Sequence, residues 1–369
     1  MPESPSQPPV RMDSWPLARI RTAHASDNIA FFPSLGEYPI YDSKIYGSFA
    51  SDSGRNSMID AAIRQAAQGR IALDIGTGQD AIWAIRCAEY GASHVYAVEE
   101  IASVAADARR AVRRAQLDRS ITVIEGRSDK IELPRRAGLC VFEIIGNIAG
   151  AEGAEAIIEN ASLRLCESHC IFVPRRCVTM IGAISFDKVG MFPGIQAETV
   201  EYVERIFRSV GHPFDLRLCL NGPVRDLLVS TTAETEHLAF GFKDSAQASL
   251  TDSISISVHS QARMHGLMMW PRLWCADDPY DSLEAGGASW APVFCPISLS
   301  GVPVGPGDLI NFEFERKLSD DGVHPDYALR GDIERRSGGV VPIDWSSCHH
   351  CKSFRRTDVY LNLFPLNSR

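Results

Sequence analysis

Between residues 57 and 175, short apolar runs alternate with longer stretches whose apolar positions recur every three or four residues. Ile71–Ile75, His94–Val98, Ile121–Ile124, Leu139–Ile145 and His169–Val173 have the length and β-rich character of strands. Met58–Gln68, Ala81–Tyr90, Ile101–Gln116 and Ala154–Cys166 carry helical spacing, with apolar side chains at 58, 59, 62, 63 and 66 in the first of them. Strands alternating with helices at this spacing predict βαβ units and a doubly wound, parallel α/β sheet. After Pro174 the pattern changes. Short strands are predicted at Thr179–Ser185, Ile254–Val258, Gly266–Trp270, Val293–Leu299, Leu309–Glu315 and Val359–Leu363, separated by Gly, Pro and Asp clusters and interrupted by one helical stretch, Thr199–Val210. That grammar predicts a sandwich or barrel. The reading gives a tail and lead-in over 1–45, an α/β domain over 46–175 and a β-rich domain over 176–369.

Length agrees with two domains, because 369 residues exceed the roughly 250–300 that one core supports. The net charge of −9 gives no electrostatic footprint for nucleic acid or an anionic membrane, and mildly favours cationic substrates. No apolar run approaches the roughly 18 residues of a membrane span. The Pro- and Ser-rich start lacks the apolar stretch of a signal peptide and reads as a disordered tail. Ten cysteines scattered through apolar segments point to reduced thiols and a cytoplasmic location. Cys348-His-His-Cys351 is expected to be a loop and no metal is expected. Four consecutive residues cannot all reach one tetrahedral ion, and no second pair stands at finger-like spacing.

In an open α/β sheet, ligands bind beyond the carboxyl ends of the strands. Asp74-Ile-Gly76-Thr-Gly78 follows the first strand, where glycines let the backbone turn sharply and approach a ligand. Glu99 ends the second strand, where a carboxylate can accept both hydroxyls of a ribose. Together they imply an adenosine-containing cofactor, with Asp74, Gly76, Gly78 and Glu99 around it. They do not choose between cofactors, since Gly76-Thr-Gly78-Gln-Asp-Ala81 also fits the dinucleotide fingerprint of an NAD-dependent oxidoreductase. Ser128 and Asp129 follow the third strand and are candidates for an adenine edge. Glu143 closes an apolar strand and Glu152 lies nine positions on, across the Gly- and Ala-rich stretch Gly146–Gly150. Two converging carboxylates form a receptor for a cation, and a planar guanidinium takes carboxylates bidentately.

These motifs, in this order, resemble the protein arginine methyltransferase family. Tyr46, Phe49, Asp52, Arg55 and Asn56 resemble the segment that folds over the family's cofactor. Leu73–Gly78 resembles its glycine loop, Val95–Glu99 its ribose-binding strand end, Gly126–Pro134 its adenine-contacting stretch, and Glu143 with Glu152 its glutamate pair. Val173-Pro-Arg-Arg resembles the hinge into its β-barrel. Met264–Trp270, Ser289–Phe294 and Pro303–Asp308 resemble its barrel strands and the barrel loop that reaches the active site.

The resemblance implies a Rossmann-like domain followed by a β-barrel, with S-adenosylmethionine as cofactor. It implies methyl transfer to a guanidino nitrogen of free or peptidyl arginine, with Glu143 and Glu152 clamping the guanidinium and Trp290 and Tyr46 beside the substrate. Arg55 would pair with the cofactor's methionyl carboxylate, and Asp52 would orient Arg55 or Glu152. A homodimer is implied, its arm falling near 197–240. The chain departs from the family's pattern in three places. Asp80 replaces a glycine and its side chain must point away from the cofactor, Ser289 stands where a histidine usually precedes the tryptophan, and small apolar residues follow Glu143. These departures suit a small substrate. A methyltransferase-like scaffold without activity is the remaining alternative.

Overall fold

The computed structural model describes residues 20–34, 37, 52–241, 249–285, 289–349 and 357–365. Strand β1 (Ala30–Pro33) precedes the α/β domain in sequence. That domain runs α1 (Ser53–Ala66), β2 (Ile71–Ile75), α2 (Ile82–Glu89), β3 (His94–Glu99), α3 (Ala102–Arg114), β4 (Ile121–Glu125), β5 (Ala137–Phe142), α4 (Ala154–Arg164) and β6 (Cys166–Val173). Helix α1 starts five residues before the apolar periodicity because Asp52 caps it, its Oδ1 accepting the Arg55 N–H at 3.1 Å. The five strands are parallel in the order β4-β3-β2-β5-β6. The chain winds outward from β2 through β4, then returns to lay β5 against the other side of β2. This reversal opens a crevice at the carboxyl ends of β2 and β5.

The second domain contains β7 (Arg176–Ile184), α5 (Val200–Val210), β8 (Leu218–Asn221), β9 (Leu228–Ala239), β10 (Ser249–Ser257), β11 (Ala262–Met264), β12 (Gly266–Trp274), β13 (Pro279–Asp281), β14 (Val293–Pro296), β15 (Val302–Val304), β16 (Leu309–Leu318), β17 (Pro325–Glu334), β18 (Val340–Ser347) and α6 (Asp358–Leu363). One antiparallel sheet runs β1-β8-β14-β12-β7-β9, with β13 on β12, and a second runs β10-β16-β17-β18. Strand β12 shows how they pack. Leu267 and Met269 face a core shared with Ile254, Phe312, Leu329 and Trp345 of the second sheet. Met268 and Trp270 face an outer core closed by α5 and α6. Both faces are covered, which explains why β12 reads as a nearly continuous apolar run.

Three expectations change. The lead-in is not merely a tail, since β1 pairs with β8 at the edge of the first barrel sheet. The stretch 359–363 is helical, because Thr357 accepts the Tyr360 N–H as an N-cap and Val359, Tyr360 and Leu363 then share one buried face. The range 197–240 is not a free-standing arm. Its second half forms β8 and β9 within the sheet, and α5 buries Val203, Ile206 and Phe207 against Phe214, Tyr360 and Phe364. No helix among the described residues is long and apolar enough to cross a membrane.

Candidate active site

The crevice is lined on one side by the loop after β2. Gly76 and Gly78 both adopt positive φ, +75° and +66°, which only glycine takes without strain. Asp74 works from beneath. It is fully buried, and its Oδ2 accepts the Thr77 hydroxyl at 2.6 Å and the Ala84 N–H at 3.1 Å, which shapes the turn, while its Oδ1 has no hydrogen-bond partner among the described residues. Burial pushes its carboxyl up to about 7. Register places Val98 beside Ile75, so Glu99 arrives next to the loop. Its Oε2 accepts the Gly78 N–H and its Oε1 the Ile101 N–H, each at 3.0 Å. Burial raises the Glu99 carboxyl, while these amides pull it down. Asp80, in place of a third glycine, is exposed and turned outward to Gln79.

The other side begins at β5, where Ile75 lies beside Phe142 and Glu143 follows immediately. Arg55, only 3% exposed in the first turn of α1, ion-pairs with Glu143. Its guanidinium also lies over the Trp290 ring at 5.3 Å. Glu152 is partly buried, and no hydrogen bond or ion pair to its carboxylate occurs among the described residues. Burial holds that carboxyl well above its usual range; Glu143 and Glu37 push the same way and Arg55 pulls it down. Glu143 and Glu152 therefore share one electrostatic site, and a guanidinium already stands in it.

Barrel residues hold the loop between the two acids. Trp290 donates its indole N–H to the Ile145 carbonyl at 2.7 Å, and Asn147 Nδ2 donates to the Ala291 carbonyl at 2.7 Å. Ile148 and Ala151 insert into the inter-sheet core. Tyr280 packs edge-on against Trp290 and sets its hydroxyl 3.4 Å from Asp52 Oδ1.

No family model matches the chain. Its curated relatives are protein arginine N-methyltransferases. A probable protein arginine N-methyltransferase 6.1 of Oryza sativa subsp. indica is 28% identical over 144 residues, 39% of this chain and 37% of that relative. The protein arginine N-methyltransferase PRMT10 of Arabidopsis thaliana is 40% identical over 79 residues, 21% of this chain and 20% of that relative. The chain thus spans well under half the length of the relatives it matches. Among solved structures, the Trypanosoma brucei PRMT1 enzyme-prozyme heterotetrameric complex with AdoHcy superposes with a TM-score of 0.67 at 16% identity, covering 83% of this chain and 99% of that one. An open conformation of Arabidopsis thaliana protein arginine methyltransferase 10 gives 0.65 at 18% identity, covering 82% and 96%.

This is the arginine methyltransferase fold. A Rossmann-like domain is followed by a β-barrel domain, as the resemblance implies. Arg55 lies on Glu143, whereas the resemblance assigns it to a cofactor carboxylate. Asp129 is engaged by Arg127, whose Nε and Nη2 donate to its two oxygens at 3.0 and 3.3 Å, and both residues sit at the surface. Ser128 meets Arg164 through its backbone carbonyl at 3.2 Å. Asp52 Oδ2 and Ser289 Oγ are buried without a hydrogen-bond partner among the described residues. Tyr46 and Phe49 lie outside the described residues.

The sequence reading missed Glu37, Asn147 and Tyr280. Asn147 lies in the Gly146–Gly150 stretch but acts through the distant Ala291 carbonyl, Tyr280 meets Asp52 from far along the chain, and Glu37 bears on Glu152 only through its charge. His324 Nδ1 lies 2.6 Å from Asp321 Oδ2, and the His324 and His349 imidazoles stack in parallel at 4.0 Å. Asp321, His324 and His349 each offer one ligand atom within 4.8 Å of the others, a grouping with the composition of a cation site. Val323 of the β16–β17 turn packs on Gly153, next to Glu152. His350 and Cys351 lie outside the described residues.

Proposed function

We propose that this protein transfers a methyl group from S-adenosylmethionine to a guanidino nitrogen of arginine. One observation carries the reading: Glu143, partly buried, pairs with an Arg55 guanidinium that rests against a tryptophan face, and the partly buried Glu152 feels both charges. The cradle residues suit the cofactor. Gly76 and Gly78 leave the backbone open, Glu99 lies at the strand end with lone pairs left for hydroxyls, and Arg55 supplies a cation for a carboxylate.

When bound, the cofactor supplies a methyl group activated by positively charged sulfur. The chain positions and polarises. Glu99 accepts the ribose hydroxyls. Arg55 would hold the methionyl carboxylate, and Glu143 would then be open to a substrate guanidinium. Glu143 and Glu152 then draw positive charge toward the nitrogens they touch, leaving the third nitrogen richer in electron density and aimed at the methyl. Arginine's pKa above about 12 makes prior deprotonation costly, so the proton leaves during or after transfer. A glutamate of the pair or a water beside it receives that proton. Trp290 and Tyr280 wall the site, with Ser289 in place of a histidine favouring a small substrate.

Offering labelled cofactor with free L-arginine and with an Arg/Gly-rich peptide tests this and separates the two substrates. Methylation of neither sinks the reading. Stabilisation by NAD and not by S-adenosylhomocysteine would make the protein an oxidoreductase. Tight cofactor binding without turnover, unaffected by Glu143→Gln, would make it a scaffold. The reading includes a cytoplasmic homodimer, and a monomer in sedimentation at micromolar concentration removes that part.

A further inference from the structure

We infer that Glu236, deep in the barrel domain, is a positioning residue that sets where Glu152 stands. The inference rests on the guanidinium-clamp reading above. Glu236 is wholly buried in β9. Between the pairs Cys177–Leu238 and Thr179–Thr235 the register with β7 slips, so two residues of β9 face one of β7. At this bulge Glu236 takes φ +49°, a left-handed conformation that side chains disfavour. Bulges re-aim side chains. The result here is a carboxylate directed out of the barrel sheet at the acid loop, with Asp252 Oδ2 securing the bulge by accepting the Thr235 hydroxyl at 2.6 Å and the Glu236 N–H at 3.3 Å.

Both oxygens are engaged. Oε2 accepts the Gly150 N–H at 3.2 Å and the Thr179 hydroxyl at 2.7 Å, and Thr179 Oγ1 in turn accepts the Ala149 N–H at 3.0 Å. Oε1 accepts the Tyr327 hydroxyl at 2.8 Å. Arg316 lies 3.7 Å from Oε1 and pairs at 2.6 Å with Glu155, in the first turn of α4. Consecutive amides three and two residues before Glu152, and an acid three residues after it, are thus tied to one buried carboxylate group of contacts. A Cβ on Gly150 would overlap Glu236 Oε1, so the approach has no slack. Packing alone does not call for a buried anion, which is expensive unless its partners hold it. An acceptor for several convergent donors does call for one.

The test uses the full chain with Glu236→Ala, Glu236→Gln and Thr179→Val. Turnover on a guanidine, S-adenosylhomocysteine affinity, melting temperature and amide exchange over 143–153 are the readouts. Glu236→Ala should lower kcat about 100-fold and Thr179→Val about 10-fold, the scale of losing a residue that orients a reacting group, with KM and cofactor affinity held within about twofold. Glu236→Gln should recover most of the loss, since its carbonyl can serve Gly150 while Tyr327 accepts from its amide. Exchange at Ala149 and Gly150 should quicken in Thr179→Val. Unchanged kcat in both Glu236→Ala and Thr179→Val overturns the inference. So does a loss that tracks cofactor affinity or melting temperature. Should Glu236→Ala fail to fold, Thr179→Val decides. If the wild-type chain methylates no guanidine, the proposed function fails separately, and unchanged exchange at the two amides still overturns the tether.

Discussion

The glycine loop and the acid loop leave the carboxyl ends of adjacent strands, β2 and β5, yet they are held by different means. In the glycine loop the side-chain hydrogen bonds come from within the parallel domain. Asp74 holds Thr77 three residues on and Ala84 ten residues on, and Glu99 meets Gly78 from 21 residues away. The acid loop is held across the domain boundary, by Thr179 and Glu236 at 30 and 86 residues and by Ala291 and Trp290 at 144 and 145. On the proposed function, the glycine loop of the cofactor cradle is held within the parallel domain, while the loop between the two acids is held by the barrel. Perturbing the barrel should harm turnover and spare cofactor binding.

The largest effect expected is at the clamp itself. Glu152→Gln removes one of two charges that polarise the guanidinium, and kcat should fall about 1,000-fold, the scale of losing a preorganised electrostatic contact to the transition state. Affinity for S-adenosylhomocysteine, measured by calorimetry, should barely change. Parallel losses of both would erase the distinction between the two loops.

Adding one methyl group to each loop sharpens the comparison. Gly150→Ala collides with Glu236 and should cost about 100-fold in kcat by displacing Glu152, since shifts on the order of 1 Å carry that penalty. Gly78→Ala forces a side chain to φ +66° beside the Glu99 carboxylate. It should weaken cofactor binding about tenfold, matching a left-handed penalty of about 1–2 kcal/mol. The comparison fails if the two substitutions give the same profile.

The same contrast explains what could be read from the sequence. The parallel domain was legible because each strand is a short apolar run ending in a turn, and because a glycine pair followed by Glu99 carries its chemistry within 25 residues. Glu143 and Glu152 were legible as an acid pair, since an acid closing a buried strand invites explanation. Glu236 gave no signal. In Ala-Glu-Thr-Glu-His it reads as a solvated strand position, and only the bulge turns it inward. Strands β17 and β18 were missed because Asp326, Arg330, Asp332 and Asp344 dilute their apolar alternation. The Val359–Leu363 run suggested a strand because β-branched and apolar residues cluster there, and the Thr357 cap overrode that preference.

The smallest expected effect is a proton, and it separates the two loops by titration. Burial raises Glu152 well above the ordinary carboxylate range, with Glu143 and Glu37 adding to the shift. A raised acid keeps its proton longer folded than unfolded, so this group lowers stability as pH climbs from its ordinary value, about 4.3, toward the folded one, and no further above it. Guanidinium binding runs the other way. The cation favours the ionised carboxylate, so binding should expel up to one proton and tighten with rising pH, by less than about tenfold per unit because one group is involved. Calorimetry in two buffers of different ionisation enthalpy counts that proton, and Glu152→Gln should abolish it. Asp74, pushed up to about 7 in the cradle, is the control. Thr77 and Ala84 hold its Oδ2 beneath the glycine loop, away from the guanidinium, so its proton belongs to the stability curve between its ordinary value and about 7 and should be the same in Glu152→Gln. A guanidine-linked proton that survives Glu152→Gln would mean that the two loops titrate as one unit, and the division between a local cradle and a docked clamp would not hold.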